Sequence, residues 1–326
     1  MNTKALRCTA IAIAALAIAG CSKYKTGEYS KGSTVIACDQ TFQNIMEQEI
    51  LVFEHNYQGS NVMDLYVDEN SAIDSLLNID NNVRMAVASR PLSNEEIAYL
   101  RKHDRNVNQT AVAVDAIALI VNPANPIEQI DYQDVVDILT GKLTSWDQIA
   151  ADDARLGDIA VIFDHNGSST TRYMADSVLM GKPFAGNIYA QKSPQEVFEK
   201  VAASKNAIGI IGVSWLRSTL TGRELSEQEL ASLNDADSLT NLSEMTTDVK
   251  VLAVSPKDKV RAYLPDQQNI FDGTYPFHRQ MYLISTSVPN TVGHSFYTFV
   301  TSHVGQKIIL SSGICPKLIS VQIVEL

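Results

Sequence analysis

Residues 159–172, IAVIFDHNGSSTTR, contain the junction that decides the fold. Ile159 to Phe163 is a short apolar run, which is typical of a buried strand. A turn rich in glycine and hydroxyl residues follows it, and we expect a helix to begin near Ser169. Because a strand that passes through such a turn into a helix is the repeating unit of α/β proteins, the junction predicts alternating strands and helices.

The same alternation extends in both directions from this junction. The predicted strands are 34–38, 83–88, 115–121, 159–163, 207–213, 249–254 and 277–285. The predicted helices begin near Thr41, Ser71, Ser93, Tyr132, Ser169 and Pro194, with two more between 291 and 312. The clearest start signal is Ser93 followed three residues later by Glu96, a capping box. The pattern predicts an α/β fold with mostly parallel sheets.

Two long strands, near 112–121 and 277–285, enclose a complete α/β block. A chain that leaves one lobe once and returns once would form a two-strand hinge. We therefore predict two lobes, and a length of 326 residues is enough for two domains. Lobe 1 is predicted to comprise 33–113 and 278–326, and lobe 2 to comprise 114–277.

The N-terminus has the three parts of a secretory signal peptide. Lys4 and Arg7 form a basic region, and residues 10–19 form an apolar core too short to span a membrane. The core ends at Gly20-Cys21, in a sequence that resembles the lipobox of bacterial lipoproteins. The resemblance implies a signal peptide at 1–20, an acylated Cys21 and a polar tether over 21–32. Plain secretory cleavage after Gly20, or a buried helix, is the alternative.

Composition and motifs exclude several classes of function. The net charge of -11 does not fit a nucleic-acid-binding surface. Asp164, His165 and Ser168 lie too close in sequence for a hydrolytic triad, and the six histidines show no metal-binding spacing. We therefore expect no enzyme activity, no cofactor and no metal. Cys38 and Cys315 either pair in an oxidising envelope or remain free, because sequence does not fix their separation.

Three predicted strand-to-helix junctions share one design, at 38–42, 88–91 and 164–172. The start of a helix offers free backbone N–H groups and a positive dipole end, and hydroxyl or guanidinium groups add further donors. Converging junctions of this kind predict a metal-free site for a tetrahedral oxyanion. The alternative is that the hydroxyls only cap helices and that Arg90 pairs with a carboxylate.

Three stretches carry a resemblance to a known family: 138–146, ILTGKLTSW; 166–170, NGSST; and 275–279, YPFHR. By these motifs and their order, the chain resembles the PstS-like phosphate-binding proteins of ABC phosphate importers, a group of type II periplasmic binding proteins. The resemblance covers most of the mature chain. It implies a two-lobed fold in which each lobe is a mixed, mostly parallel sheet flanked by helices, joined by a two-strand hinge.

The resemblance also implies a set of phosphate contacts. Thr41 and Phe42 match the first loop, Ser89 matches the second, and 168–170 match the third. Together with the two arginines near these loops, the expected contacts are Thr41, Phe42, Ser89, Arg90, Ser168, Ser169, Thr170 and Arg172.

Two departures from the family pattern concern selectivity. Arg90 stands where the best-known members have an aspartate that accepts a phosphate proton, and Asp164 stands where they have an arginine. Arg172 either supplies that guanidinium or is an exposed helix residue. Asp164 either replaces the proton acceptor or orients an arginine. Phosphate is the expected ligand, and selectivity against other oxyanions is open.

The predicted function follows from the anchor and the site together. We expect a monomeric solute-binding lipoprotein of the bacterial envelope that faces the periplasm or the outside. It would capture phosphate, or a similar oxyanion, between its lobes and deliver it to an ABC permease. The alternative is a surface lipoprotein that acts as a protein-interaction or anion-sensing module without transport.

Overall fold

The structure is a computed structural model that describes residues 31–149, 156–216, 248–257 and 259–319. The predicted signal peptide, Cys21 and nearly all of the predicted tether lie outside these residues. Within the described ranges, no helix has the length and apolar character needed to cross a membrane.

The strands and helices alternate along the chain. The strands are β1 (Gly32–Asp39), β2 (Ser60–Val67), β3 (Val83–Ala88), β4 (Asn108–Val121), β5 (Gln129–Asp131), β6 (Ala160–Phe163), β7 (Ile188–Ala190), β8 (Ala207–Gly212), β9 (Lys250–Val251), β10 (Ala253–Ser255), β11 (His278–Ser285) and β12 (Cys315–Pro316). The helices are α1 (Gln43–Asn56), α2 (Glu69–Leu77), α3 (Asn94–Lys102), α4 (Tyr132–Leu139), α5 (Ser169–Tyr173), α6 (Pro194–Ala203), α7 (Gln267–Phe271), α8 (Val292–Thr301) and α9 (His303–Ser311).

One strand, β4, runs through both halves of the molecule. The main sheet has the order β2-β1-β3-β11-β4-β8-β6-β7, with β9 and β12 also paired to β4. The first part of β4 pairs with β11 and β12, and its last five residues pair with β8. We call the β2-β1-β3-β11 side lobe 1 and the β8-β6-β7 side lobe 2. The residue boundaries predicted for the lobes remain a prediction.

Local sequence explains where several helices begin. The capping box predicted at Ser93 is present, with hydrogen bonds in both directions between Ser93 and Glu96. Ser193 caps α6 and Pro194 occupies its first position, where the missing N–H costs nothing. Gly141 follows α4 with a φ of 77°, a conformation that glycine adopts without strain.

The structure differs from the predicted elements in several places, and the short elements β5, β7, β12 and α7 were not predicted. Strand β4 begins at Asn108, before both starts predicted above, 115 and 112, because its first part pairs with β11 and β12. Strand β2 was not predicted, since it lies at the sheet edge and exposes Met63 and Leu65, which hides the apolar run expected of a strand. The predicted strand at 249–254 is two short strands, and only the first of them joins the main sheet.

Both cysteines of the described residues are buried and free. Cys38 donates from Sγ to the carbonyl oxygen of Asp39, and Cys315 donates to that of Gln267. The structure therefore answers the open question about this pair with two separate thiols.

The fold places one edge of each half-sheet at the same cleft. Strands β1 and β3 are parallel to each other in lobe 1, and β6 and β8 are parallel in lobe 2. In open α/β sheets, ligands bind beyond the carboxyl ends of such strands. The three loops singled out by sequence follow β1, β3 and β6 at this edge.

Candidate functional site

Loops from the two lobes meet in a fully buried polar cluster. Asp39 ends β1 and Thr41 follows it in lobe 1, whereas Asp164 follows β6 in lobe 2. All three side chains are completely buried. Ser168, Ser169 and Thr170 are also completely buried. Because buried polar groups need hydrogen-bond partners, the partners that these residues choose define the site.

Asp39 lies at the centre of the lobe 1 contribution. Its Oδ1 accepts from the backbone N of Thr41 at 3.2 Å and from Thr41 Oγ1 at 3.1 Å. Its Oδ2 accepts from the backbone N of Ser169, in lobe 2, at 3.3 Å. Trp215 fixes the same loop from lobe 2 by donating from Nε1 to the carbonyl oxygen of Thr41 at 2.8 Å.

Asp164 organises the lobe 2 loop in a similar way. Its Oδ1 accepts from Ser168 Oγ at 2.6 Å and from the backbone N of His165 at 2.9 Å. Its Oδ2 accepts from Thr41 Oγ1 at 3.3 Å, which links the two lobes. Ser168 in turn caps α5 by accepting from the backbone N of Thr171 at 3.0 Å.

A buried ion pair supports the cluster from the hinge strands. Arg279 on β11 lies opposite Asp115 on β4 and donates to its Oδ2 from Nε at 3.2 Å and from Nη2 at 3.0 Å. Arg279 also donates from Nη1 to Ser169 Oγ at 2.8 Å, and its guanidinium lies 5.0 Å from the ring centre of Phe42. One arginine thereby connects the hinge to the first and third of the three predicted loops.

A second arginine bridges the lobes at the edge of the cluster. Arg172 on α5 pairs with Glu69 at the start of α2, from Nε to Oε2 and from Nη2 to Oε1. It also donates from Nη2 to Ser89 Oγ at 2.6 Å, while Ser89 donates from its own N and Oγ to Glu69 Oε1. The guanidinium of Arg172 therefore lies at the interface between the lobes, and its side chain is 32% exposed.

The buried carboxyls respond differently to their surroundings. Burial raises the pKa of Asp39 to about 6, although Arg279 and the hydrogen bond from Ser169 act to lower it. Burial also raises the pKa of Asp115, against the opposing charge of Arg279. Burial alone would raise the pKa of Glu69, but hydrogen bonds from Arg172 and Ser89 outweigh it and leave that pKa lowered.

Most of the predicted site residues come together, and Arg90 does not join them. Arg90 makes a two-pronged ion pair with Glu96, at 2.9 Å from each nitrogen, and donates to the carbonyl oxygen of Pro91. This is the carboxylate pairing given above as the alternative for Arg90. Thr170 Oγ1 is buried and has no hydrogen-bond partner among the described residues.

Four residues of the cluster were not predicted: Asp39, Glu69, Asp115 and Arg279. Sequence could have indicated Asp115, because it is the only charged residue in the apolar run of β4 from Ala111 to Val121. The YPFHR stretch at 275–279 gave a weaker indication of Arg279. Their pairing depends on the register of two strands far apart in sequence, which periodicity does not fix.

Together these residues form what we call the cleft cluster: Asp39, Thr41, Glu69, Ser89, Asp115, Asp164, Ser168, Ser169, Thr170, Arg172 and Arg279. It contains four carboxyl groups and two guanidinium groups. Within the described ranges, no three His, Cys, Asp or Glu side chains are arranged to hold a metal ion. The donors of the cluster are hydroxyls, backbone N–H groups and guanidiniums, which suit an oxyanion.

Comparisons with known proteins agree with this architecture. A sequence model described as a PBP superfamily domain matches residues 25–304. The phosphate-binding protein PstS of Pseudomonas aeruginosa is 23% identical over 309 residues, which cover 89% of this chain and 86% of that protein. Protein SphX of Synechococcus elongatus is 25% identical over 231 residues, which cover 69% of this chain and 60% of that protein.

A solved structure also resembles this chain in three dimensions. A candidate phosphate ABC transporter substrate-binding protein from Clostridium perfringens, determined with bound phosphate, superimposes with a TM-score of 0.68 at 20% identity. The match covers 88% of this chain and 100% of that one. The predicted resemblance and the predicted two-lobed α/β fold are confirmed.

Proposed function

Because this chain belongs to the PBP superfamily, whose domain matches residues 25–304, we propose that it captures inorganic phosphate or a similar tetrahedral oxyanion between its two lobes. The observation that carries the proposal is the convergence of buried donors from both lobes at one point of the cleft. Thr41 reaches that point from lobe 1, and Ser168 and Ser169 reach it from lobe 2. A ligand held there would bind both lobes at once.

Lobe closure is the mechanism that this geometry favours. A ligand shifts a conformational equilibrium only by as much as it prefers one state, and an anion bridging two half-sites prefers the closed state. In this chain Arg172 reinforces closure by joining Glu69 and Ser89 of lobe 1 to α5 of lobe 2. The closed form is then the form that docks on an ABC permease.

The N-terminal sequence supplies the remaining part of the proposal. The basic region, short apolar core and Cys21 favour a lipid-anchored protein of the bacterial envelope that faces the periplasm or the outside. Relatives named for phosphate binding and phosphate transport support delivery to an importer rather than catalysis. We expect the protein to act as a monomer without enzyme activity.

Parallel titration with phosphate, arsenate, sulfate and molybdate tests the proposal. We expect calorimetric binding of phosphate, and we expect Ser169→Ala combined with Thr170→Val to abolish it, because the pair loses two hydroxyls at the centre of the cluster. Arg90→Gln is a matched control: Arg90 pairs with Glu96, so its loss should leave phosphate affinity unchanged. Full phosphate affinity in the double variant would refute the site, and no binding of any of the four anions would refute the function.

A further inference from the structure

We propose that Asp39 is a built-in competitor for the anion of the cleft cluster, and that its carboxylate sets how tightly the cluster binds phosphate and at which pH. The inference rests on the proposed function, since it concerns the same site. It gives the cleft a residue that limits affinity, in addition to the residues that provide it.

The first argument is that the Asp39 carboxylate already takes up donors from both lobes. Oδ1 accepts from the backbone N and Oγ1 of Thr41, and Oδ2 accepts from the backbone N of Ser169. These are donors that an oxyanion between the lobes requires. Phosphate must therefore displace the carboxylate or share its hydrogen bonds.

The second argument is that ordinary helix capping does not need this arrangement. Asp68 and Asp266 cap their helices by accepting from Ser71 and Asn269, three residues ahead in the same segment. Asp39 makes the equivalent local bond to Thr41 but adds a bond to Ser169, which lies 130 residues away. The additional bond is a contact between lobes, and it places a negative charge at the point of convergence.

The third argument concerns the charges that face Asp39. Arg279 on β11 attracts the carboxylate, whereas Glu69 at the start of α2 and Asp164 after β6 repel it. Burial raises the pKa of Asp39 to about 6, so the group is ionised at pH 8 and protonated at pH 5. An ionised Asp39 repels an incoming anion, whereas a protonated Asp39 offers it a hydrogen bond.

Phosphate titrations of the full chain between pH 5 and pH 8 test this inference, with Asp39→Asn beside the unmodified protein. Asparagine keeps a side-chain oxygen for the N–H of Thr41, but it carries no charge, and its amide nitrogen cannot accept from Ser169. We expect Asp39→Asn to bind phosphate at least about tenfold more tightly at pH 8, the lower end of the effect of a neighbouring like charge. The ratio of the two dissociation constants should approach one at pH 5, and the ionisation of phosphate itself cancels in this ratio.

Two further variants make the result unambiguous. Asp266→Asn removes an aspartate that caps a helix outside the cleft, and its affinity ratio to the unmodified protein should stay at one at every pH. Asp39→Ser keeps a short capping group and removes the charge, so it should reproduce the gain if Asp39→Asn folds poorly. Equal or weaker phosphate binding by the Asp39 variants, or a ratio independent of pH, would overturn the inference while the proposed function stands. Absence of phosphate binding in every protein at every pH would overturn both.

Discussion

Replacing Arg279 with glutamine tests whether the hinge depends on charge compensation. The side chains of Arg279 and Asp115 are only 3% and 0% exposed, and two nitrogens of Arg279 donate to Asp115 Oδ2. Glutamine carries no charge, so the buried Asp115 carboxylate would lose the positive charge that compensates it. Removing one partner of a buried pair costs about 3–5 kcal/mol, mainly because the other charge remains buried.

The size of this loss is large compared with the stability of the whole protein. Folded proteins are commonly stable by about 5–15 kcal/mol, so Arg279→Gln should move the urea unfolding midpoint clearly to lower concentration. Adding Asp115→Asn should recover most of the loss, because no uncompensated charge remains. Acidification should also reduce the deficit of the single variant, since burial already raises the pKa of Asp115 and loss of Arg279 would raise it further.

Circular dichroism in urea, applied to both single variants and the double variant, completes a double-mutant cycle. A loss below about 1 kcal/mol in Arg279→Gln would fall short of the cost of a buried unpaired charge and refute the reasoning. Equal instability of the single and double variants would refute it too, because the loss would then come from packing over Phe42 or from the bond to Ser169.

Three further predictions concern the cleft and lobe 1. Arg172→Gln should favour the open form, because it weakens the ion pair between α5 and Glu69. Solution scattering without phosphate should then give a larger radius of gyration than the unmodified protein has, and an unchanged radius would contradict this role of Arg172. Glu49→Met should stabilise the folded protein by about 1–3 kcal/mol in thermal unfolding at pH 7. The reason is that the Glu49 carboxyl is fully buried, has no hydrogen-bond partner among the described residues and has a pKa raised by burial. A destabilised variant would contradict this reasoning, because it would mean that Glu49 has a partner. Asp39 has a pKa of about 6 when folded and near 3.9 when unfolded, so the folded state binds its proton more tightly. The contribution of Asp39 to stability should therefore rise by about 2 to 3 kcal/mol from pH 7 to pH 4, measured as the difference in urea unfolding between the unmodified protein and Asp39→Asn. A difference that does not change with pH would contradict the raised pKa.

Much of the fold follows from local sequence signals. The capping box at Ser93, the proline at the start of α6 and the buried run of β3 each act over a few residues, so they can be recognised without knowing the tertiary structure. Strand β2 could not be recognised in this way. Its exposed Met63 and Leu65 and its acidic Asp64 become part of a strand only because β1 lies beside them.

The candidate site also contains some residues that the sequence predicts and others that it does not. The hydroxyl loops at Thr41 and Ser168 are visible in sequence because the residues that act together are neighbours in the chain. The ion pair of Asp115 and Arg279 is not, because a shift of one residue in the pairing of β4 and β11 would separate the two charges. The second bond of Asp39 is equally hidden, since it depends on how closely the lobes approach each other.

The strand order of lobe 1 also determines when that lobe can fold during synthesis. Strand β3 pairs on one side with β11, whose residue Ser285 lies about 200 positions after its neighbour Met85. The ribosome must therefore deliver almost the entire chain before the lobe 1 sheet can be completed, whereas β6, β7 and β8 of lobe 2 lie close together in sequence. Contacts between such distant segments form slowly. A nascent chain of this design keeps lobe 1 without a complete sheet until β11 has been synthesised.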